Sequence, residues 1–361
     1  MMKVIDKSIV KSILTKPEDS LSYFDLVYVN DFNLSISRIK KGETFSYQKG
    51  KTFVSDKNIL NRIETLVIPP MWKKVRISDL DNGHLQAVGR DAKGRKQYRY
   101  HPKWNAVRNK TKFVKMIDFG KNLPKIRARV TSDLNQKNWT KTKVLALIVK
   151  LLEETHIRIG NTQYAKRNKT YGITTLRTRH INKENNKIRF EFVGKRGKEH
   201  KITLRNKKLI KLVNQCQEIP GWKLFQYYDE DGVKKEIDSS SVNDYIHAIS
   251  GELFTAKDFR TWSASLISFN TLMDFGIEHD DNQNKKNRLS AIDITAKELG
   301  NTRNVSRKYY IHPHILKTYE DSTIDKYFQK AENDENAYAH FSHSENALMA
   351  LLEDYSPVIN M

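Results

Sequence analysis

The segment LGNTRNVSRKYYIHP, residues 299–313, places two adjacent tyrosines, Tyr309 and Tyr310, directly after Arg307 and Lys308. A phenol with an ordinary pKa of about 10 is a weak nucleophile near neutral pH. Fixed cations stabilise the phenolate and thereby activate its oxygen for attack. The segment therefore predicts that one of the two tyrosines reacts with a substrate.

The charge of the chain indicates a polyanionic partner. Its 361 residues include 64 Lys and Arg against 42 Asp and Glu, a net charge of +22. The tail 317–361 is acidic, with nine acids and three lysines, so residues 1–316 carry +28. Such an excess repels itself unless an anion neutralises it, and nucleic acid is the expected partner. A solubilising surface or a basic ribosome-associated protein is the alternative.

Several classes of protein are excluded by the composition. No apolar run approaches the length of about 18 residues that a membrane-spanning helix needs. The N-terminal stretch lacks the apolar region and the cleavage site of a secretory signal. The one cysteine, Cys216, excludes an internal disulfide framework and a cysteine zinc site. We expect a cytoplasmic protein without a membrane partner, associated with the nucleoid if its source is bacterial.

The patterning predicts an α+β protein with two domains. Residues 67–104 alternate between apolar and polar side chains and contain two glycine turn signals, which predicts strands. After Trp104 the pattern becomes helical and charged. We therefore place a β-rich N-terminal domain at 1–105 and a larger, mainly α domain at 106–361.

The second domain is expected to combine helices with one hairpin. Apolar residues at helical spacing predict three of its helices, at 141–157, 239–250 and 345–354. Strict alternation around a glycine-flanked turn predicts a β-hairpin at 186–204 with Lys195 at its tip. The polar stretch 276–290 is expected to be a loop.

A basic, tyrosine-containing strand pair is the candidate nucleic-acid surface. The stretch GRDAKGRKQYRYHPK, residues 89–103, holds six Lys or Arg against one Asp. Tyr98 and Tyr100 are two residues apart, so they point to the same side of a strand. Cations neutralise phosphates, and tyrosines stack on bases or donate to phosphate. An exposed hairpin with structural tyrosines is the alternative. The candidate residues are Arg90, Lys93, Arg95, Lys96, Tyr98, Arg99 and Tyr100.

Three further cations suggest phosphoryl chemistry without a metal. Arg158 follows the apolar helix, Lys195 occupies the hairpin tip, and Arg260 lies in DFRTWSAS. Each alone is an ordinary capping or solvated side chain. Transesterification of a phosphodiester by a tyrosine needs such a set, because arginines stabilise the phosphorane charge and a lysine protonates the leaving oxygen. No HExxH motif or phosphate-binding loop is present, so neither a metal nor a nucleotide is expected.

Five segments, in this order, resemble the type IB DNA topoisomerases of the small poxvirus and bacterial kind. The resemblance covers about residues 65–316. Its most specific segments are GHLQAVGRDAKGRKQYRYHPKW, RIGNTQYAKRNKTYGITTLR, FVGKRGKEH, DFRTWSAS and LGNTRNVSRKYYIHP. The family's enzymes have a β-rich N-terminal domain and a mainly α catalytic domain, which close on duplex DNA as a C-shaped clamp. Their catalytic core is shared with tyrosine recombinases.

The resemblance implies a role for each candidate catalytic residue. Tyr310, immediately before IHP, corresponds to the nucleophile, and Arg158 and Arg260 to the arginines that hold the scissile phosphate. Lys195 corresponds to the general acid. Asn301 occupies the position where poxvirus members have histidine and bacterial ones commonly have asparagine. Tyr309 is then a packing neighbour.

The resemblance also implies the reaction. A monomer would relax supercoiled double-stranded DNA through a 3′-phosphotyrosyl intermediate, without ATP, metal or another cofactor. A tyrosine site-specific recombinase is the first alternative, although position 257 is lysine where recombinases usually have histidine. A non-catalytic basic DNA-binding protein is the second.

Overall fold

The computed structural model describes residues 2–4, 7–251, 254–333, 340–356 and 358–360. They form two compact units, one from residues 1–115 with 356–361 and the other from residues 116–355. The expected α+β class is confirmed: the smaller unit is built on an antiparallel sheet, and the larger one is mainly helical.

The chain contains the following regular elements. The strands are β1 Met2–Val4, β2 Ile36–Lys41, β3 Thr44–Lys49, β4 Thr52–Phe53, β5 Lys73–Ile77, β6 Leu85–Arg90, β7 Lys96–Tyr100, β8 Ile181–Glu184, β9 Lys187–Val193, β10 Glu199–Leu204, β11 Gln226–Tyr228, β12 Lys234–Glu236 and β13 Val358–Asn360. The helices are α1 Lys7–Thr15, α2 Pro17–Ser20, α3 Lys57–Thr65, α4 Pro102–Leu134, α5 Lys141–Thr155, α6 Thr162–Asn168, α7 Lys207–Gln217, α8 Ser239–Ser250, α9 Ala256–Phe275, α10 Asp281–Glu298, α11 Arg303–Tyr309, α12 Pro313–Glu320, α13 Asp325–Asn333 and α14 His343–Glu353.

The smaller unit is organised by a six-stranded sheet in the order β4-β3-β2-β5-β6-β7. Ile36, Ile77 and Ala87 are direct cross-strand neighbours and are fully buried. Side chains opposite one another on a sheet face pack together, so this row forms the centre of the unit's core. Helix α3 covers it with Ile63, and the Asp56 side chain caps that helix by accepting from two backbone amides. In addition, β1 pairs antiparallel with β13.

The larger unit is built around α5 and α9. Thr140 caps α5, and this helix is buried on nearly all sides, as expected for the central helix of a core. A reciprocal capping box between Thr255 and Asp258 begins α9. Phe119 of α4 packs edge-on against Phe254 and Phe259, which joins α4 to the start of α9.

Most of the expected elements of the larger unit are present. The helices expected at 141–157, 239–250 and 345–354 are α5, α8 and α14, and the expected hairpin is β9–β10, to which β8 adds a third strand. The proposed domain boundary near residue 105 lies inside α4, and the compact units divide at 115/116.

The loop expected at 276–290 is wrong, because α10 begins at Asp281. Asp280 caps this helix by accepting from the Asn282 amide. The first turns of α10 are polar because they are largely exposed, and its buried side chains are concentrated in the second half, at Ala291, Ile292, Thr295 and Ala296. Capping at Asp280 therefore starts a helix that hydrophobic periodicity does not signal.

The C-terminal helix α14 is held on the larger unit by a buried ionic cluster. Glu345 accepts from the Arg127 guanidinium at 2.7 and 2.9 Å and from Trp262 Nε1 at 2.9 Å. Arg127 is also paired with Glu153 at 2.6 Å. Because Trp262 lies on α9, the cluster joins α14 to the helix that carries Arg260.

We predict that Glu345→Gln lowers the free energy of unfolding by about 2 kcal/mol, because it breaks a buried, hydrogen-bonded pair and leaves Arg127 undercompensated. Chemical denaturation measures the change. The control is Glu353→Gln on the same helix, whose pair with Lys121 is exposed and is expected to contribute less than about 1 kcal/mol. Equal losses in the two variants would contradict the importance of the cluster.

Candidate active site

Arg260 links the ends of two helices. Its Nη1 donates to the carbonyl of His156 and its Nη2 to the carbonyl of Leu299 at 2.9 Å. His156 is the C-cap of α5, and Leu299 is the C-cap of α10. Helix C-termini leave carbonyls unpaired and carry partial negative charge, so both are good acceptors for a guanidinium. We call this arrangement of Arg260 and the two carbonyls the helix-end junction.

The helix-end junction brings two polar side chains together. Arg158 follows the first cap residue by two positions, and Asn301 follows the second by two. Arg158 Nη2 donates to Asn301 Oδ1. The carbonyl of Arg158 accepts from the Ile173 amide at 2.8 Å, which fixes the backbone beyond α5. The two segments are thus held in one place although they are more than a hundred residues apart in sequence.

Asn301 retains a donor for a ligand. Its amide N–H groups on Nδ2 are buried, and Nδ2 has no hydrogen-bond partner among the described residues. Its backbone is fixed, since the Asn301 amide donates to the Ala296 carbonyl at 2.8 Å. A buried donor without an acceptor is costly unless a ligand satisfies it, and an anionic oxygen is the strongest such acceptor.

Tyr310 lies beside the helix-end junction. It is the C-cap of α11, and the Arg260 guanidinium carbon is 5.4 Å from the centre of its ring. Buried Ser265 of α9 holds the backbone on both sides of Ile311: its hydroxyl donates to the Tyr310 carbonyl at 3.3 Å and accepts from the His312 amide at 2.9 Å. Tyr310 is partly buried and packs against the core of the larger unit, whereas the neighbouring Tyr309 is 38% exposed.

The surrounding cations alter the ionisation of Tyr310. Burial by itself raises the pKa of the phenol, but the charges of Arg260, Arg158 and Lys257 outweigh it, so the pKa lies below its ordinary value. Burial, together with the charge of Arg158, lowers the pKa of Arg260 to about 10, so its guanidinium stays charged at neutral pH. The cationic side chains around Tyr310 therefore favour its phenolate form.

Lys195 is not bonded to the other four candidate catalytic residues, Arg158, Arg260, Asn301 and Tyr310. It is exposed at the tip of the β9–β10 hairpin, in a turn where Arg196 adopts a left-handed backbone with φ of 66°. Among the described residues, no hydrogen bond or ion pair joins its amine to Arg158, Arg260, Asn301 or Tyr310. The structure thus groups four of the five predicted catalytic residues and leaves the fifth on an exposed turn.

The predicted DNA-binding residues lie on β6, β7 and their turn, in the smaller unit. Tyr98 and Tyr100 share one face as expected, with parallel rings 5.9 Å apart. Several of the cations are already engaged: Lys96 pairs with Asp31, and Arg95 pairs with Asp91. Arg99 donates to the Val67 carbonyl at 2.8 Å, and Arg90 donates to the Gly94 carbonyl at 2.9 Å. Lys93 lies in the exposed turn between β6 and β7.

Lys257 and Ser265 are site residues that the sequence motifs do not single out. Lys257 precedes Arg260 by three positions on α9, so helical spacing alone places the two on one face and is a usable signal. Ser265 has no such signal, because its partners are backbone groups of a segment 45 residues further along the chain.

Within the described parts of the chain, no group of three or more His, Cys, Asp or Glu side chains is arranged to hold a metal ion. Over the same residues, no helix combines the length and apolar character needed to cross a membrane.

Comparison with known families gives two matches. Residues 101–337 match the model of the eukaryotic DNA topoisomerase I catalytic core, and residues 44–91 match that of the bacterial DNA topoisomerase IB N-terminal domain. The DNA topoisomerase 1B of Acanthamoeba polyphaga mimivirus is 34% identical over 83% of this chain and 91% of that protein. The DNA topoisomerase 1B of vaccinia virus (strain Copenhagen) is 25% identical over 69% of this chain and 76% of that protein.

One solved structure with a partial likeness is the XerH site-specific recombinase bound to its palindromic difH substrate. It is 15% identical with a TM-score of 0.35, over 57% of this chain and 50% of that one.

We predict that the Tyr310 phenol ionises at lower pH than an ordinary tyrosine, which has a pKa of about 10. The difference in ultraviolet tyrosinate absorbance between the wild-type protein and Tyr310→Phe isolates this group. In a Lys257→Ala background the same difference titration should move to higher pH, because one of the three stabilising cations is removed.

The matched control is Lys308→Ala. This lysine lies over the ring of Tyr309 rather than Tyr310, so its removal should leave the titration of Tyr310 in place. A Tyr310 phenol that titrates at or above the ordinary value would contradict the assignment of the activated tyrosine.

Proposed function

The chain belongs to the type IB DNA topoisomerases, and on that premise we propose that Tyr310 is the residue through which it cuts and reseals DNA. The enzyme relaxes supercoiled duplex DNA by transient cleavage of one strand through a 3′-phosphotyrosyl intermediate, followed by religation. The observation that carries the assignment of Tyr310 is the helix-end junction, which places a buried arginine beside this phenol.

The proposed cleavage step exchanges one phosphoester for another. The Tyr310 oxygen attacks the scissile phosphorus, a bond from phosphorus to the phenolic oxygen forms, and the bond to the 5′ oxygen breaks. The phenolic proton leaves to solvent, and the 5′ oxygen takes a proton from Lys195. Religation is the reverse, so the energy of the ester is retained and no nucleotide has to be hydrolysed. Between the two steps the free 5′ end swivels.

Arg158, Arg260 and Asn301 are proposed to bind the non-bridging oxygens of the phosphate. Charge accumulates on these oxygens in the pentacoordinate transition state, and fixed donors stabilise it without reorganisation. The helix-end junction uses two of the five N–H donors of Arg260, and a hydrogen bond to the phenol contributes to the low pKa of Tyr310. The Nε of Arg260 has no partner among the described residues. Asn301 contributes its buried Nδ2, and its Oδ1 orients Arg158.

We further propose that the protein acts as a monomer on cytoplasmic DNA and that the β6–β7 strands with Tyr98 and Tyr100 contact the duplex. The packing of α14 supports the monomer, because Glu345 is already bonded to Arg127 and Trp262 of its own chain. Exchange of a C-terminal helix between recombinase subunits requires the release of such contacts. A buried ionic cluster that holds the helix within one chain therefore favours the topoisomerase over the recombinase alternative.

We predict that Tyr310→Phe binds DNA with wild-type affinity but neither relaxes a supercoiled plasmid nor forms a covalent adduct, because no oxygen is left to attack phosphorus. Tyr309→Phe is the matched control and should stay active. Denaturing electrophoresis of trapped adducts gives the readout. An adduct in Tyr310→Phe would refute the assignment, and full inactivity of both variants would leave the adjacent tyrosine as a second participant.

We predict that a plasmid of arbitrary sequence is relaxed by the monomer in the presence of EDTA and without nucleotide. The arginines and Lys195 supply the charge stabilisation and proton transfer that a metal provides in other phosphoryl transfers. Loss of all activity in EDTA, restored by a divalent metal, would disprove metal independence. Reaction only between two copies of a defined site would instead support the recombinase alternative.

We predict that Lys195→Ala slows cleavage of ordinary DNA by about 10²-fold or more, the usual contribution of a general acid. A substrate with a 5′-bridging phosphorothiolate releases a thiolate, which needs no proton, so it should restore most of the loss. Lys198→Ala, on the same turn, is the control and should show no such rescue. Single-turnover cleavage measures both. An equal defect of Lys195→Ala on the two substrates would exclude the role of general acid.

A further inference from the structure

The His200 ring lies between the backbones of two glycines, Gly194 and Gly300. His200 is on β10, directly opposite Phe192 of β9, and the two rings are stacked with centres 5.0 Å apart. A Cβ placed on Gly194 would lie 2.6 Å from Cδ2 and Nε2 of His200, and one placed on Gly300 would overlap the ring at Cε1. The imidazole therefore fills the space between these two backbone segments and contacts both of them directly.

Each of these glycines immediately precedes a proposed catalytic residue. Gly194 precedes Lys195 at the hairpin tip, and Gly300 precedes Asn301. Gly300 has φ of +62°, so the backbone there is in a conformation that glycine adopts without strain. Displacement of His200 would let the hairpin turn and the Asn301 loop approach or separate, because no side chain on either glycine keeps them apart.

Burial and the neighbouring cations keep the His200 ring neutral. Burial lowers its pKa to about 4, and the charges of Arg158, Lys198 and Arg260 add to the effect. A neutral ring packs between the two backbone segments without adding a cation to the proposed phosphate site. It is also unable to act as a charged phosphate ligand near neutral pH, so its contribution has to be made through shape.

We propose that His200 is a positioning residue for strand cleavage: its ring, held on Phe192, sets the distance between the turn that carries Lys195 and the loop that carries Asn301. The inference rests on the proposed roles of these two residues. It gives the exposed Lys195 a defined relation to the phosphate site, because Gly194 and Gly300 both contact the same ring.

The test compares two substitutions of His200 with a control on the same strand. His200→Ala vacates the space between the glycines, whereas His200→Gln fills a similar volume and cannot carry a proton near neutral pH. Ile202→Ala is the control, since Ile202 packs on the core from β10, whereas the atoms nearest to a Cβ on Gly300 all belong to His200. Thermal unfolding of the three variants shows how far each change weakens the hairpin.

His200→Ala is expected to slow single-turnover cleavage of ordinary DNA by about 10²-fold, the usual effect of misplacing a reacting group by about 1 Å. His200→Gln and Ile202→Ala should stay within about threefold of the wild type, even if Ile202→Ala lowers the unfolding temperature as much as His200→Ala does. The pH profile of His200→Gln should follow that of the wild type, because the ring takes no part in proton transfer.

Two further measurements separate positioning from simple destabilisation. On the 5′-bridging phosphorothiolate substrate the loss in His200→Ala should shrink, because the share that acts through Lys195 no longer matters. In double-mutant cycles, His200→Ala combined with Lys195→Ala or with Asn301→Ala should cost less than the product of the single effects, as for residues that act through one another.

Three results would overturn the proposal: His200→Ala cleaving as fast as Ile202→Ala, His200→Gln being as slow as His200→Ala, or multiplicative effects in both cycles. A failure of the proposed function looks different. If Lys195 is not the general acid, the single variant Lys195→Ala gains nothing from the phosphorothiolate, while the cycle between His200 and Asn301 still reports whether the ring positions the loop.

Discussion

The active site depends on the burial of one guanidinium between two helix ends. Removing the Arg260 charge from water is costly, and the carbonyls of His156 and Leu299 compensate it because helix C-termini are preorganised acceptors. Each carbonyl belongs to a cap residue that precedes a phosphate-binding candidate by two positions. The same interaction that makes the buried arginine tolerable therefore also determines where Arg158 and Asn301 lie. Stability and preorganisation are here two consequences of a single set of hydrogen bonds.

The electrostatic balance of the site follows from this constraint. Arg260 has no carboxylate partner in its two hydrogen bonds, so its charge is only partly neutralised by carbonyl dipoles and remains effective on its surroundings. Tyr310 receives that field, together with those of Arg158 and Lys257, and its pKa falls despite burial. The pKa of His200 is lowered as well, by burial and by the charges of Arg158, Lys198 and Arg260, and the result there is a neutral ring. Arg158 and Arg260 thus lower the pKa of the proposed nucleophile and also help to exclude a competing cation.

The sequence predicts those features that depend on residues only a few positions apart along the chain. Strand alternation predicts that Tyr98 and Tyr100 share one face, and apolar spacing predicts α5, because both signals lie within a few residues. The same patterns do not predict α10, because its start depends on the Asp280 cap and not on an apolar stripe. The helix-end junction is not predictable from the sequence for another reason. Its acceptors are backbone carbonyls, which have no side-chain signature, and they are separated from Arg260 by 104 and 39 residues. The roles of Arg158, Lys195, Arg260, Asn301 and Tyr310 came from the resemblance to a family and not from geometry.

The division of the site into a fixed and an exposed part suits a reaction that has to run in both directions. Cleavage and religation pass through the same transition state, so donors fixed by the fold stabilise both equally and favour neither. The proton must move in opposite directions in the two steps. In the proposed mechanism Lys195, which lies on an exposed turn, transfers it. If the Lys195 amine were buried with the arginines, its positive charge would add to theirs and proton exchange with water would be hindered. The position of Lys195 on the β9–β10 turn avoids both effects. In the proposed arrangement, the neutral ring of His200 against Gly194 and Gly300 then keeps this exposed turn in place.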